Sequence, residues 1–240
     1  MLENHRLRLT GLIGLLPLAI IPCVAVGNGF PYPDDSLDGQ TYLAYAVPRG
    51  ELQIIFALVF QLSIALFLWL LALTVVSRSG RLGLAPLAMI GGGIGFVASF
   101  MTWSAVYLEI VMMGRVHPDL RDDHAALLIV SNSWNLIQVN YTISLIPLGF
   151  SWAAFAIANR EHHILPAWLG TWGSWLVTAV SIPQIAFIFI HTGPWSPTSL
   201  GPFLLQAIPM CAWTTAAGIA FIRRGRAQPP GSHGPAPAGR

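Results

Sequence analysis

Apolar positions along this chain gather into six long runs, and polar positions gather into the short islands between them. The runs cover about residues 10–27, 51–76, 85–113, 125–158, 166–192 and 200–222. Each is at least about 17 residues long, which is what an α-helix needs to cross a hydrocarbon core. Inside lipid a segment must satisfy its own backbone N–H and C=O groups, so an isolated crossing run folds as a helix. The pattern predicts an all-α fold: a six-helix transmembrane bundle over residues 1–226. After Arg226 the chain is mostly Gly, Pro and Ala, and residues 227–240 are expected to form a disordered tail.

The islands carry nearly all the charge, and arginine is divided unevenly between alternate islands. With the amino terminus placed inside, Arg6, Arg8, Arg78, Arg81, Arg160, Arg223, Arg224, Arg226 and Arg240 lie in the cytoplasm. Arg49, Arg115 and Arg121 lie outside, together with Asp34, Asp35, Asp38, Asp119, Asp122 and Asp123. Cytoplasmic loops are the ones that hold excess basic residues. Both termini are therefore expected in the cytoplasm of a multi-pass protein of the cell's plasma (inner) membrane. Arg6 and Arg8 before the first run, with Ala25-Val26-Gly27 after it, also have the outline of a cleavable signal. Pro17 and Pro22 interrupt that run, and the topology works with the helix retained.

Composition sharpens the picture. Of 240 residues, 55% are hydrophobic and 9% charged, so a soluble domain of this make-up would lack the polar surface that keeps it dispersed. All the basic residues are arginine. The cluster Arg223, Arg224 and Arg226 ends the last run as a cytoplasmic anchor does, so no nucleic-acid partner is implied. Cys23 and Cys211 sit in apolar runs without CxxC spacing and read as buried thiols. His162 and His163 beside Glu161, and His117 and His124 around Asp119, Asp122 and Asp123, lack the spacing of helical metal sites. No phosphate loop, dinucleotide fingerprint or nucleophile elbow occurs, so neither a metal nor a cofactor is predicted.

Chemistry is concentrated in the few hydrophilic residues inside the runs. In the fourth run Ser131, Asn135, Gln138 and Thr142 recur at i, i+4, i+7 and i+11, with Asn132 nearby and Trp134 and Tyr141 flanking. An amide facing lipid loses its water hydrogen bonds at a cost of several kcal/mol, so this face is expected to turn inward. Glu109 is the carboxylate deepest within an apolar run, and an ionisable group inside a membrane is a functional candidate by default. His191 closes the fifth run, with Gln184 seven residues earlier on the same face. Trp168, Trp172, Trp175 and Trp195 fall near run ends, as an aromatic belt does. Trp103, Trp134 and Trp213 fall deeper. Gly91-Gly92-Gly93 with Gly95, and Pro147, Pro183 and Pro209, predict close packing and kinks.

Ile146-Pro-Leu-Gly-Phe through Asn159-Arg160, then Ile164-Leu-Pro-Ala-Trp-Leu-Gly-Thr-Trp-Gly173, resembles a group of uncharacterised bacterial polytopic membrane proteins. In that group a Leu-Pro-x-Trp-Leu-Gly motif opens a helix after a short basic turn. Arg8-Leu9-Thr10-Gly11 before the first run is similar too. The resemblance implies the bundle fold and no activity.

Three functions fit the residues. The first is a binding protein with a polar and aromatic cavity in the outward half of the bundle, taking a hydrophobic or amphipathic small molecule or a partner. Asn132, Trp134, Asn135, Gln138, Tyr141, Trp103 and Gln184 would line it. The second is a membrane enzyme, an isomerase or cyclase acting on an isoprenoid or another lipidic substrate, with Glu109 and His191 as catalytic groups. The third is a small-solute transporter, which an internal repeat would favour and none is evident.

Overall fold

The computed structural model describes residues 2–28, 38–190, 195 and 200–227. Among these residues every regular element is helical. The long helices are α1 (Leu2–Asn28), α2 (Gly39–Ser79), α3 (Leu84–Val116) and α4 (His124–His162). The fifth crossing is composite. A π-helical turn (Trp168–Gly173) leads into α5 (Ser174–Ser181), and a 3-10 helix (Ile182–Phe189) ends it. Helix α6 (Leu200–Ala227) completes the bundle. Six crossings result, each long and apolar enough to span a membrane. The tail and His191 lie outside the described residues.

Several helices overrun their apolar runs. The largest extension is in α2, which starts at Gly39, inside a stretch whose polarity reads as loop. Asp38 makes this start. Its carboxylate accepts from the Thr41 backbone N–H at 2.9 Å and from the Thr41 hydroxyl at 3.0 Å. The bond from that N–H, above all, holds the carboxyl below the ordinary Asp range. This satisfies a donor that the first helical turn would leave unpaired. The added turns bury Tyr42, Leu43 and Ala46. The fifth crossing changes pitch where Pro183, which lacks an N–H, removes an i→i−4 bond.

The helices form two apolar cores. One holds Phe67, Trp152, Phe155, Trp213 and Phe221 and draws on every crossing. The other lies farther from the termini and is built from α2, α3 and α4 around Tyr42, Trp103, Tyr107 and Trp134. The surface between the ends is apolar as well: Ile55, Leu66, Ile94, Met101, Ile143 and Phe150 are all exposed. Such a belt is stable against acyl chains.

At the end that carries the termini, ionic contacts tie α1, α2 and α6 together. Arg6 donates to Ser77 Oγ at 2.7 Å, Arg78 lies 3.7 Å from Glu3, and Arg8 Nε donates to the Gly225 carbonyl at 3.2 Å. At the opposite end Arg115 grips Glu51, with Nη2 2.9 Å from Oε2. Alternate loops thus gather at opposite ends, as those of a six-crossing chain must.

The glycine-rich start of α3 is a packing surface. A Cβ on Gly92 would run into Ser151 Oγ and the Pro147 carbonyl of α4, whereas one on Gly91 would meet open space. Gly92→Val is therefore expected to destabilise the bundle by about 1–3 kcal/mol through overpacking, read as a lower melting temperature in detergent. Gly91→Val should melt with the wild type; equal melting of the two variants would refute this account of the α3–α4 contact.

Candidate functional site

Helices α2, α3 and α4 bring their polar interior residues to one level. Gly50 packs against Val111 and Gly93 against Trp69, so α2 and α3 run antiparallel in a fixed register. Gly92 against Ser151 and Gly95 against Pro147 do the same for α3 and α4. Carried along the helices, these registers set Gln53, Ser104, Tyr107 and Gln138 at about the same depth, in the half of the bundle away from the termini.

Aromatic rings frame that level. Phe100 stacks on Trp103 at 4.7 Å between centroids, and Trp103 on Tyr107 at 5.3 Å. Tyr107 lies 6.4 Å from Trp134, which stacks on Tyr42 at 4.8 Å and meets Tyr45 edge-on at 5.7 Å. The rings thus run from α3 through α4 to α2. The Tyr107 hydroxyl donates to Gln53 Oε1. Toward the far end Arg49 covers the Tyr45 ring at 4.6 Å, a cation–π contact, and bonds the Tyr45 carbonyl at 2.9 Å.

Gln138 is the anomaly at this level. It is 3% exposed, yet among the described residues neither its amide nitrogen nor its amide oxygen has a partner. Trp134 Nε1 and Ser104 Oγ are also buried without partners, as is Gln61 Oε1 farther along α2. Buried polar atoms are nearly always bonded, and an orphaned one costs about 1–3 kcal/mol. Unpaired donors and acceptors thus stand in an apolar, aromatic surround.

The structure assembles part of the expected constellation. Trp103, Trp134 and Gln138 turn inward, and Tyr141 is half-buried, touching both cores. Asn132 and Asn135 are exposed on the outward face of α4. The inward side of that helix is taken by Val130, Trp134, Ile137 and Leu145, whose larger apolar surfaces gain more from burial. Glu109 is also exposed. It shares the outer face of α3 with Thr102, Ala105 and Met112, and the ionic partner of Arg115 is Glu51. Gln184 is buried in a separate knot: its Nε2 donates to Gln206 Oε1 at 3.1 Å, and Gln206 Nε2 donates to Ser181 Oγ at 3.0 Å. That knot ties the fifth crossing to α6.

Sequence reasoning overlooked Gln53, Ser104 and Tyr107, and treated Tyr42 and Tyr45 as loop. A signal existed for Tyr107: it follows Trp103 by four residues, one turn along the same face.

Of the tryptophans, Trp168, Trp172, Trp175 and Trp195 are exposed near the bundle ends, while Trp103, Trp134 and Trp213 are buried. With six apolar crossings, an apolar girdle and charges gathered toward the ends, Glu109 apart, the chain is a multi-pass integral membrane protein. Comparison with family models, with curated proteins and with solved structures finds no match.

Proposed function

We propose that this protein binds an amphipathic small molecule within the membrane, its polar head hydrogen-bonded at Gln138 and its apolar body against Trp103, Tyr107 and Trp134. One observation carries the reading: a glutamine 3% exposed whose amide has no partner on either atom among the described residues. An amide both donates and accepts, so a ligand carrying a hydroxyl, carbonyl or amide suits it. Trp134 Nε1 adds a donor and Ser104 a hydroxyl. An apolar, aromatic surround with a few placed polar groups is the usual lining of a small-molecule site.

Mass spectrometry of the small molecules that co-purify with the protein tests the proposal. Gln138→Leu is expected to lose a species that the wild type and Asn135→Leu both retain. Identical spectra from all three would refute it. An acid–base enzyme built on Glu109 draws no support from that residue's place on the exposed face of α3.

The same reading places both termini in the cytoplasm, because nine arginines stand on that side of the alternation and three on the other. A fluorescent protein fused after Arg240 should then fluoresce in cells, and alkaline phosphatase fused there should be inactive; the reverse pair of results would invert the topology. The resemblance to the uncharacterised bacterial group belongs here as well, since its helix-opening motif coincides with the turn after α4.

A further inference from the structure

A second site lies at the end of the bundle that carries the termini, where a cleft of about 570 Å³ opens between the end of α2, the start of α3 and the end of α4. That volume is in the range of roughly 300–1,000 Å³ typical of ligand clefts. The walls are graded along the bundle. Below the rim they include Ala85, Ala88, Ala153, Ala154 and Ala158, whose short side chains leave the space open. Leu84, Phe150 and Ile157 stand exposed along it. At its mouth are Arg81, Glu161 and His162.

The charged rim is incomplete as it stands. Among the described residues the Arg81 guanidinium has no ionic or hydrogen-bonding partner, since Ser79 engages only the Arg81 backbone. Glu161 has only a loose contact, 3.8 Å, to His162 Nε2. An unpaired cation and a largely unpaired carboxylate thus flank the entrance to an apolar cleft.

We infer that this cleft holds a membrane phospholipid with a primary-amine headgroup. Its phosphate pairs with Arg81, its ammonium with Glu161, and one acyl chain lies along the alanines. Charge complementarity selects this occupant. An anionic headgroup without an amine would meet the Glu161 carboxylate unfavourably, whereas a phosphoethanolamine group satisfies both signs. Alanines beneath headgroup-level charges also match the order of a lipid: charge at the interface, hydrocarbon below it.

The test is native mass spectrometry of the full chain, purified from bilayers of equal phosphatidylethanolamine and phosphatidylglycerol. Bound lipid should be enriched about threefold in phosphatidylethanolamine, the order expected of an exposed ion pair. Glu161→Gln should bring the ratio back to that of the bilayer, and Arg81→Ala should reduce the lipid retained. Ala88→Phe, which fills the cleft, should abolish retention while Glu161→Gln does not. Arg81 and Glu161 are exposed, so their replacement leaves the fold intact. A bound ratio equal to the bilayer's, an enrichment of phosphatidylglycerol, or retention indifferent to Ala88→Phe would each overturn the inference. Gln138→Leu should leave this lipid in place, which separates failure here from failure at the aromatic site.

Discussion

Asn159→Ala is expected to lower the stability of the bundle by about 2–4 kcal/mol, through loss of buried hydrogen bonds and the backbone group orphaned with them. Asn159 is 1% exposed at the end of α4, where the chain reverses through His163 in the left-handed region (φ 47°). Its Oδ1 accepts the Leu165 N–H at 2.7 Å, and its Nδ2 donates to the Leu165 carbonyl at 3.2 Å and to Thr171 Oγ1 at 3.1 Å. One side chain thereby closes the turn and binds the start of the fifth crossing. Gly170 is required opposite it, since a Cβ there would collide with the Asn159 amide. The next residue back, Leu169, offers its carbonyl to Trp213 Nε1 at 2.8 Å, which carries the constraint on to α6. With Ala at 159 the buried Leu165 N–H loses its acceptor. For a chain of this size the loss corresponds to a melting temperature lower by about 5–15 °C. Arg160→Ala, one residue on and exposed, should melt within about 2 °C of wild type. An Asn159→Ala variant that melted as high as Arg160→Ala would show that the turn is held by something else.

The Leu165-Pro-Ala-Trp-Leu-Gly170 stretch thus has a physical reading: Leu165 and Gly170 are places where the backbone meets Asn159. The six crossings were legible because a bilayer imposes length and apolarity on each span regardless of what the helix packs against. Helix orientation was less legible for the same reason. In water an apolar stripe marks the buried face, but in lipid the outer face is apolar too, and the periodic contrast fades. The inward face of α4 was nonetheless written in the sequence as Val130, Trp134, Ile137, Tyr141 and Leu145, spaced three and four apart. Following the polar residues instead led to Asn135, which faces out, as well as Gln138, which faces in. On α3, Phe96, Phe100, Trp103 and Tyr107 mark the buried side, which leaves Glu109 on the other. The early start of α2 was hidden because polar residues around Tyr42 and Tyr45 masked a capped amphipathic turn. The ring stack and the Gln53–Tyr107 bond depend on register between helices, and no single run of sequence encodes that.

Gln138→Leu should make the ligand-free protein more stable, by about 1–3 kcal/mol, while removing its capacity to be stabilised by ligand. The first half follows from the amide's isolation. Folding strips both of its polar atoms of solvent and returns no bond among the described residues, so a leucine of similar size removes a penalty and keeps the packing. A glutamine that bound neighbouring helices together would behave oppositely, because such bonds contribute about 0.5–2 kcal/mol each to helix association. The sign of the change therefore discriminates a waiting site from a structural clamp. Gln206→Leu provides the contrast, since its amide bonds Gln184 and Ser181, and its loss should lower the melting temperature. The second half follows from linkage. A ligand at 100 times its dissociation constant raises stability by about 2.7 kcal/mol. Adding back the lipid-soluble extract of the source membrane should accordingly raise the melting temperature of delipidated wild type and of Asn135→Leu by more than it raises that of Gln138→Leu, which keeps only the phospholipid of the other cleft. If Gln138→Leu melted lower than wild type without extract and responded to extract just as strongly, the amide would be a helix clamp and the aromatic level no binding site.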